Sequence, residues 1–200
     1  ESQNVFYYES ILDELAQAGG ADPIAMRMKL LDHEPSKAVL ESVAEMSDWG
    51  ARLPEGRYRG FAYALASGQA TAQVLEIGYG TDGVRLHRAW IAVDVGVALD
   101  PRNIEAQVQG AMVFGLSAAI YGEVTLTDGI VDQSNFNSYR LLRLNQVPSI
   151  EVRIHQSGEK IKGVGEAGTP AAAPALGNAL FAATGNRLRE LPFSKHLRFV

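Results

Sequence analysis

The sequence predicts an α+β fold in which helices pack against a mixed sheet, and three observations lead to that class. The first fifty residues show helical periodicity. From Arg57 to about residue 95, apolar and polar side chains alternate in runs bounded by glycines, and an Ala-rich helical pattern precedes Gly185. We therefore predict a helical segment over residues 1–50 and an α+β portion over residues 51–200, which together form one structural unit.

Three helices are predicted within the first fifty residues. The apolar residues in the stretch 9–16 share one helical face, and Gly19-Gly20 end that helix. Asp22-Pro23 is a good N-cap and first residue for a second helix, which the segment 32–35 breaks. A third apolar stripe follows, and we expect Gly50 to end it.

The remaining elements follow from alternation and turn residues. Asp82-Gly83 is typical of a hairpin turn, and Asp100-Pro101 opens a long helix over about 102–121. Thr169 and Pro170 fit the N-cap and first residue of the last helix, which ends at Gly185. The predicted strands lie near residues 58–67, 70–79, 84–95, 123–127, 130–134 and 149–156.

Composition excludes several classes of function. With 46% hydrophobic residues, 20% charged residues and a net charge of -5, the 200-residue chain is neither disordered nor suited to nucleic acid. It has no cysteine, so it cannot itself hold an iron–sulfur cluster. The four histidines lie far apart in sequence, which argues against a zinc site, and no stretch approaches the roughly 18 apolar residues of a membrane span. Because the chain opens at Glu1 without methionine, we expect it to be a piece of a longer protein.

The most unusual segment is the Gly-rich loop, residues 163–168, in which Gly163, Gly165 and Gly168 surround one carboxylate, Glu166. Glycines let backbone approach a ligand closely. Burial of Glu166 without a partner would favour its use as a general base, whereas a nearby helix N-terminus would favour its charged form. A solvated glutamate in a flexible loop is the alternative.

The long helix contains a second candidate site. Each glycine inside a helix costs about 0.8–1.0 kcal/mol relative to alanine, so Gly110 and Gly115 need a packing or ligand reason. Gln107, Gly110 and Phe114 share one helical face, which places an amide beside a small gap. Close helix–sheet packing with a solvated glutamine explains the same residues. The polar segment 134–140 is more typical of a turn, and Asp94 and Asp100 of turn or capping roles.

These motifs together resemble one family, the xanthine dehydrogenase and aldehyde oxidase group of molybdenum hydroxylases, and within it the isoquinoline 1-oxidoreductase branch. The resemblance runs from Ser2 to about Phe193, in what corresponds to the C-terminal portion of the molybdopterin-binding domain. The motifs that carry it are Gln107-x-x-Gly110, Phe114-Gly115-Leu116, Ser134-Asn135-Phe136, Leu141-Leu142-Arg143, Gly163-Val164-Gly165-Glu166, Pro174-Ala175-Leu176 and the segment 181–185.

The resemblance implies a specific chemistry. Glu166 matches the family's catalytic base, and Gln107, Gly110, Gly163 and Gly165 match positions next to the cofactor, while Ala167 stands where the family often has proline. The implied cofactor is molybdopterin with molybdenum, in bacteria usually as the cytosine dinucleotide. Such enzymes oxidise an aldehyde or an N-heteroaromatic ring with water as oxygen donor.

The resemblance also implies partners. The rest of the large subunit or a companion chain would complete the site, and a separate 2Fe-2S subunit would carry electrons away, so this chain alone should be inactive. The compartment stays open between cytoplasm and periplasm. The alternative is a non-catalytic structural or assembly module of the same fold.

Overall fold

The computed structural model describes residues 1–158 and 160–200, and three helices fill its first fifty residues. They are α1 (Ser2–Ala18), α2 (Pro23–Leu30) and α3 (Glu34–Ser47). Asp22 caps α2 as predicted, since its carboxylate accepts hydrogen bonds from the backbone N–H groups of Ile24 (3.0 Å) and Ala25 (2.8 Å). The three predicted helices are therefore present.

Two details of α3 differ from the prediction. Pro35 lies in the first turn of the helix, where its missing N–H costs nothing, so the segment 32–35 both ends α2 and starts α3. The helix ends at Ser47 because Asp48 adopts a left-handed conformation (φ 48°), two residues before Gly50.

The sheet is mixed, as predicted. Its strand order is β1-β2-β3-β6, with antiparallel pairing of β1 to β2 and of β2 to β3, and parallel pairing of β3 to β6. A separate two-stranded hairpin, β4-β5, is shorter than predicted. The strands are β1 (Arg57–Ala66), β2 (Gln69–Gly80), β3 (Gly83–Asp94), β4 (Leu126–Thr127), β5 (Ile130–Val131) and β6 (Ser149–His155).

Two hydrophobic cores lie on opposite faces of the sheet. On one face, α3 packs through Val39, Leu40 and Val43 against the side chains of Phe61 and Trp90. On the other face lie the long helix α4 (Pro101–Tyr121) and the last helix α5 (Ala172–Thr184), both in the same core cluster as alternate residues of β2 and β3. Residues of one strand therefore alternate between two buried environments.

The N-terminal helices pack on this framework. The side chain of Phe6 in α1 lies in the core that contains α5, and its ring contacts Phe193 edge-on at a centroid distance of 6.0 Å. Arg27 of α2 forms a buried ion pair with Glu9 of α1 at 3.1 Å. The division at residue 50 stays a prediction, because these contacts do not say where an independent folding unit ends.

Gly60 marks the closest approach between the sheet and α5. A Cβ on Gly60 would overlap the backbone nitrogen of Ala179 and the carbonyl oxygen of Ala175, neither of which can move without shifting the helix. We expect Gly60→Ala to lower the free energy of unfolding of the chain by at least about 3 kcal/mol, measured by urea denaturation. Gly80→Ala is the control, since its Cβ would meet no described atom within 4 Å. Equal stability of the two variants would contradict this packing.

Candidate functional site

The N-terminal end of the Gly-rich loop is anchored to the chain that follows β3. The backbone N–H of Lys162 donates to the carbonyl of Val95 (3.1 Å), and Ile161 forms an antiparallel bridge with Gly96. The ammonium group of Lys162 pairs with the buried carboxylate of Asp94. Backbone pairing and an ion pair together fix the point at which the loop leaves the sheet.

The C-terminal end of the Gly-rich loop is anchored to α4 and to β2. Gly168 packs so closely on α4 that a Cβ would lie 2.5 Å from the carbonyl oxygen of Val108. The hydroxyl of Thr169 donates to the carbonyl of Ala111 (3.0 Å), and the side-chain amide of Gln73 donates to the carbonyl of Gly168 (2.7 Å). The loop therefore lies beside the part of α4 that carries Gln107 and Gly110.

These contacts correct the predicted start of the last helix. Helix α5 begins at Ala172 with Ala171 as N-cap, and no side chain caps it. Thr169 cannot cap the helix because its hydroxyl is bonded to α4, and the backbone turns through Pro170 before the helix begins. The N-terminus of α5 is consequently several residues from Glu166.

The centre of the Gly-rich loop is open. Glu166, Gly163 and Gly165 are exposed, and a Cβ on Gly165 would meet no described atom within 4 Å. Within the described residues, no hydrogen bond or ion pair to the Glu166 carboxylate is found; only its backbone carbonyl is engaged, by the N–H of Thr169 (2.9 Å). The burial that would make Glu166 a strong base is therefore not supplied by the described part of this chain.

The exposed face of α4 presents the second candidate group. Gln107 and Gly110 are exposed, and Phe114 on the same face is 64% exposed. A Cβ on Gly110 would meet no described atom within 4 Å, so packing within the described chain does not explain this glycine. Gly115 differs, because its Cβ would lie 2.8 Å from both the Ala172 Cβ and the Thr169 carbonyl oxygen. Of the two glycines inside α4, only Gly115 has a packing reason among the described residues.

The polar segments named from sequence take the structural roles predicted for them. Residues 134–140 form a turn in which the hydroxyl of Ser138 accepts from the backbone N–H of Ser134 (3.1 Å). Asp100 caps α4 by accepting from the N–H of Asn103 (3.2 Å). Asp94 accepts from the N–H of Gly96 (3.4 Å), as a turn residue, but also forms the ion pair described above.

Asp94 is a buried charge with several partners. Burial raises the pKa of its carboxyl, but hydrogen bonds from the ammonium of Lys162 and from the N–H (2.8 Å) and hydroxyl (3.0 Å) of Ser157 outweigh burial and hold the pKa below its usual range. The pKa of Asp94 in the folded state is therefore lower than its value of about 3.9 in the unfolded chain. The pair contributes stability that is fully present above that unfolded value and is lost as pH falls through the folded pKa.

We expect Asp94→Asn to lower the free energy of unfolding by about 1.5–3 kcal/mol at pH 7, because hydrogen bonds to a charged group are lost. The variant should also show a shallower loss of stability below pH 4 than the wild type, as measured by urea denaturation across pH. Glu34→Gln removes an exposed carboxylate from its ion pair with Lys37 and should change stability by less than about 1 kcal/mol. If the free energy of unfolding falls equally steeply below pH 4 in Asp94→Asn and in the wild type, Asp94 is not the source of this acid sensitivity.

A row of buried polar side chains on β2 was not predicted from the sequence. Gln69, Thr71 and Gln73 lie on the strand face that also carries Leu75 and faces α4 and α5, and all three are buried. Gln73 reaches the Gly-rich loop directly, as described above. The available signal was the alternation itself, because these residues are polar at positions where the pattern places apolar side chains.

A large cleft in the described part of the chain lies away from Glu166. A cleft of about 570 Å³ is lined by Tyr121, Arg140 and residues 194–199, and it does not include Glu166. Among the described residues, no helix combines the length and the apolar character needed to cross a bilayer. Glu166, Gln107, Gly110, Gly163 and Gly165 are each exposed in the described chain.

Comparison with known proteins defines the class to which this fold and surface belong. Residues 25–148 match the family described as the molybdopterin cofactor-binding domain, so the chain belongs to that family. The resemblance to the molybdenum hydroxylases of the xanthine dehydrogenase and aldehyde oxidase group is thereby confirmed.

Individual relatives agree with this membership. The chain is 37% identical over 197 residues to isoquinoline 1-oxidoreductase subunit beta of Brevundimonas diminuta. The aligned region covers 96% of this chain and 25% of the relative. The chain is 31% identical over 207 residues to a membrane-bound aldehyde dehydrogenase of Gluconacetobacter polyoxogenes named for pyrroloquinoline quinone, covering 92% of this chain and 27% of the relative. The chain thus spans about a quarter of the length of these curated relatives.

A solved structure shows the same fold. Quinoline 2-oxidoreductase from Pseudomonas putida 86 superimposes with a TM-score of 0.53 at 23% identity, covering 62% of this chain and 17% of that chain. This likeness supports the predicted fold class, a mixed sheet with packed helices.

Proposed function

We propose that the chain is part of a molybdenum hydroxylase that oxidises an aldehyde or an N-heteroaromatic compound with water as oxygen donor, and that Glu166 is its catalytic base. The observation that carries the proposal is the Gly-rich loop, which is anchored at both ends and presents Glu166 directly after the exposed Gly165. Among the described residues no cationic side chain pairs with this carboxylate, so it is available to accept a proton.

The residues present fit a molybdopterin. A flat, polar cofactor requires backbone that can be approached closely and side chains that donate hydrogen bonds. The positions of Gly110 and Gly165 are open where a Cβ would otherwise stand, and the exposed amide of Gln107 lies on the same helical face as Gly110. Gln107, Gly110, Gly163 and Gly165 would hold the group against this surface.

The proposed roles of the chain's own residues follow from their chemistry. The molybdenum pterin, when bound, supplies the two-electron oxidation of the substrate carbon. A carboxylate oxygen of Glu166 takes up the proton that leaves the oxygen nucleophile, and later releases it to solvent. The Gln107 side chain donates a hydrogen bond through its amide and orients the bound group. The anchors at Asp94 and Gln73 keep Glu166 at one position relative to α4.

We further propose that other polypeptide completes the site. Glu166 and Gln107 are exposed, and a base enclosed away from water works better than one in solvent. Phe114, on the same face of α4 as Gln107, is 64% exposed, so this face presents apolar surface that another polypeptide would cover. The remainder of a large subunit or a companion chain would cover this surface. A 2Fe-2S subunit would accept the electrons. We propose that the pterin is the cytosine dinucleotide form.

Metal and pterin analysis of the protein purified with everything that co-migrates from its native host tests the proposal. We expect molybdenum and a cytosine dinucleotide, with co-purifying chains that contain iron. A protein that carries pyrroloquinoline quinone instead, as the name of one relative suggests for that relative, would overturn the cofactor assignment. A chain that migrates alone and without metal would favour the alternative, a non-catalytic structural or assembly module of the same fold.

A further inference from the structure

We propose that Gln73 is a positioning residue that sets the place of the Gly-rich loop and thereby of Glu166, an inference that rests on the proposed function. Gln73 lies in the middle of β2 with 0% of its surface exposed. Its amide nitrogen donates to the carbonyl oxygen of Gly168 over 2.7 Å. The bond joins two residues 95 positions apart and connects the centre of the sheet to the loop.

Fold stability alone does not account for a glutamine at this position. The side-chain oxygen of Gln73 is buried and has no hydrogen-bond partner among the described residues. A buried acceptor without a partner costs about 1–3 kcal/mol, whereas the one hydrogen bond that Gln73 makes contributes about 1 kcal/mol. An apolar side chain, such as its neighbour Leu75 on the same face, would pack here at least as well.

The location of the bond supports a role in the loop. Gly168 follows Glu166 by two residues, and the intervening Ala167 is 3% exposed, so little backbone separates the anchor from the carboxylate. The adjacent anchor, the hydroxyl of Thr169 on Ala111, fixes the loop to α4. Gln73 adds a fixed point on the sheet, and two fixed points on different elements restrict both translation and rotation of the loop end.

The effect should fall on the chemical step. Displacement of a catalytic group by about 1 Å can cost about 100-fold in rate. Gln73 lies under the loop in the buried face of the sheet and is not itself exposed to substrate. Loss of its amide should therefore lower kcat and leave KM and cofactor content nearly unchanged.

The test compares Gln73→Met with Asn178→Leu in the complete, cofactor-loaded enzyme. Asn178 is a matched control, because its amide is also buried and also donates to a backbone carbonyl, that of Phe61, over 2.7 Å. For Gln73→Met we expect kcat to fall about tenfold or more with KM and molybdenum content within about twofold of wild type. Hydrogen exchange of the loop amides 163–168 should become about tenfold faster. For Asn178→Leu we expect lower thermal stability with unchanged kcat and loop exchange.

Each outcome decides the proposal. Wild-type loop exchange and kcat in Gln73→Met would overturn it, as would equal losses in the two variants. If Gln73→Met does not fold, Gln73→Asn withdraws the amide by one methylene group, retains a polar side chain and carries the same expectations. If Glu166→Gln keeps full turnover while Gln73→Met loosens the loop, the proposed base is wrong but the positioning of the loop by Gln73 stands.

Discussion

Glu166→Gln should lower kcat of the complete enzyme by about 100- to 10,000-fold, the range over which a positioned general base accelerates a reaction. Glutamine has nearly the same shape and keeps a side-chain oxygen, but it cannot accept the proton from the nucleophile. KM should change little, because the variant removes a group that acts in the transition state. Steady-state kinetics on an aldehyde and on an N-heteroaromatic substrate measure the effect.

The substitution should leave the fold intact. The carboxylate of Glu166 is exposed, and no ion pair to it is found in the described part of the chain, so its loss should change the free energy of unfolding by no more than about 0.5 kcal/mol. Molybdenum content should also stay at the wild-type level. These two measurements separate loss of the base from loss of structure or cofactor.

Glu41→Gln provides the control for charge. Glu41 is an exposed carboxylate on α3, which packs on the opposite face of the sheet from α4 and α5. The change in net charge is the same in both variants, but we expect wild-type kcat for Glu41→Gln. Retention of more than about a third of wild-type turnover in Glu166→Gln would exclude a role for Glu166 as base.

Local signals were sufficient to predict the positions of the first three strands. The first three strands were predicted at 58–67, 70–79 and 84–95, and the structure has them at Arg57–Ala66, Gln69–Gly80 and Gly83–Asp94. Alternation of apolar and polar residues and the positions of turn glycines depend only on neighbouring residues, so they can be recognised in a single sequence. The same holds for Asp22 and Asp100, whose carboxylates cap the helices that follow them.

Contacts between distant residues were not predictable in this way. Helix α5 begins at Ala172 and not at Pro170, because the hydroxyl of Thr169 donates a hydrogen bond to the carbonyl of Ala111 in α4. Ala111 lies 58 residues earlier in the chain, so this contact cannot be recognised from the local sequence. The contact of Gln73 with the Gly-rich loop likewise cannot be predicted from the sequence alone, because Gly168 lies 95 residues away and only the fold brings the two residues together. The exposure of Glu166 depends on what covers the Gly-rich loop. The roles of Glu166 as catalytic base and of Gln107, Gly110, Gly163 and Gly165 as cofactor-binding residues stay predictions.

The two anchors of the Gly-rich loop illustrate why such a site resists prediction. One anchor uses an ion pair between Asp94 and Lys162, and the other a hydrogen bond from the side-chain amide of Gln73 to the carbonyl oxygen of Gly168. The two strand residues, Asp94 on β3 and Gln73 on β2, lie on different strands and are both far from the loop in sequence. A residue that acts on a loop from the sheet beneath it shows in the sequence only as a polar side chain at an apolar position.

Arg27→Met should give one of the largest losses of stability in the chain, about 3–5 kcal/mol in the free energy of unfolding. The guanidinium of Arg27 donates through Nε to both carboxylate oxygens of Glu9 at 3.1 Å, and both side chains are almost fully buried. Arg27 also donates to the carbonyl oxygens of Glu9 (3.1 Å) and Pro23 (2.9 Å). Methionine fills much of the volume but leaves a buried carboxylate without its counter-ion.

The double variant Glu9→Gln/Arg27→Met distinguishes loss of charge pairing from loss of packing. Glutamine removes the uncompensated charge and still accepts the hydrogen bond that the backbone N–H of Tyr63 now gives to Glu9 (2.8 Å). We therefore expect the double variant to recover most of the stability lost in Arg27→Met. Lys37→Met breaks an exposed pair with Glu34 and should cost less than about 1 kcal/mol.

The pH dependence of Arg27→Met identifies the cause. Burial already raises the pKa of Glu9, and Arg27 and the Tyr63 N–H partly oppose that effect. Without Arg27 the folded-state pKa rises further above the unfolded value of about 4.3, so the folded variant binds the proton more tightly than the unfolded chain. Its stability should then fall as pH rises from about 4.3 toward the folded pKa, and the difference from wild type should grow over the same window. If that difference is the same at pH 4 and pH 8, the loss comes from packing and the buried ion pair is not what joins α1 to α2.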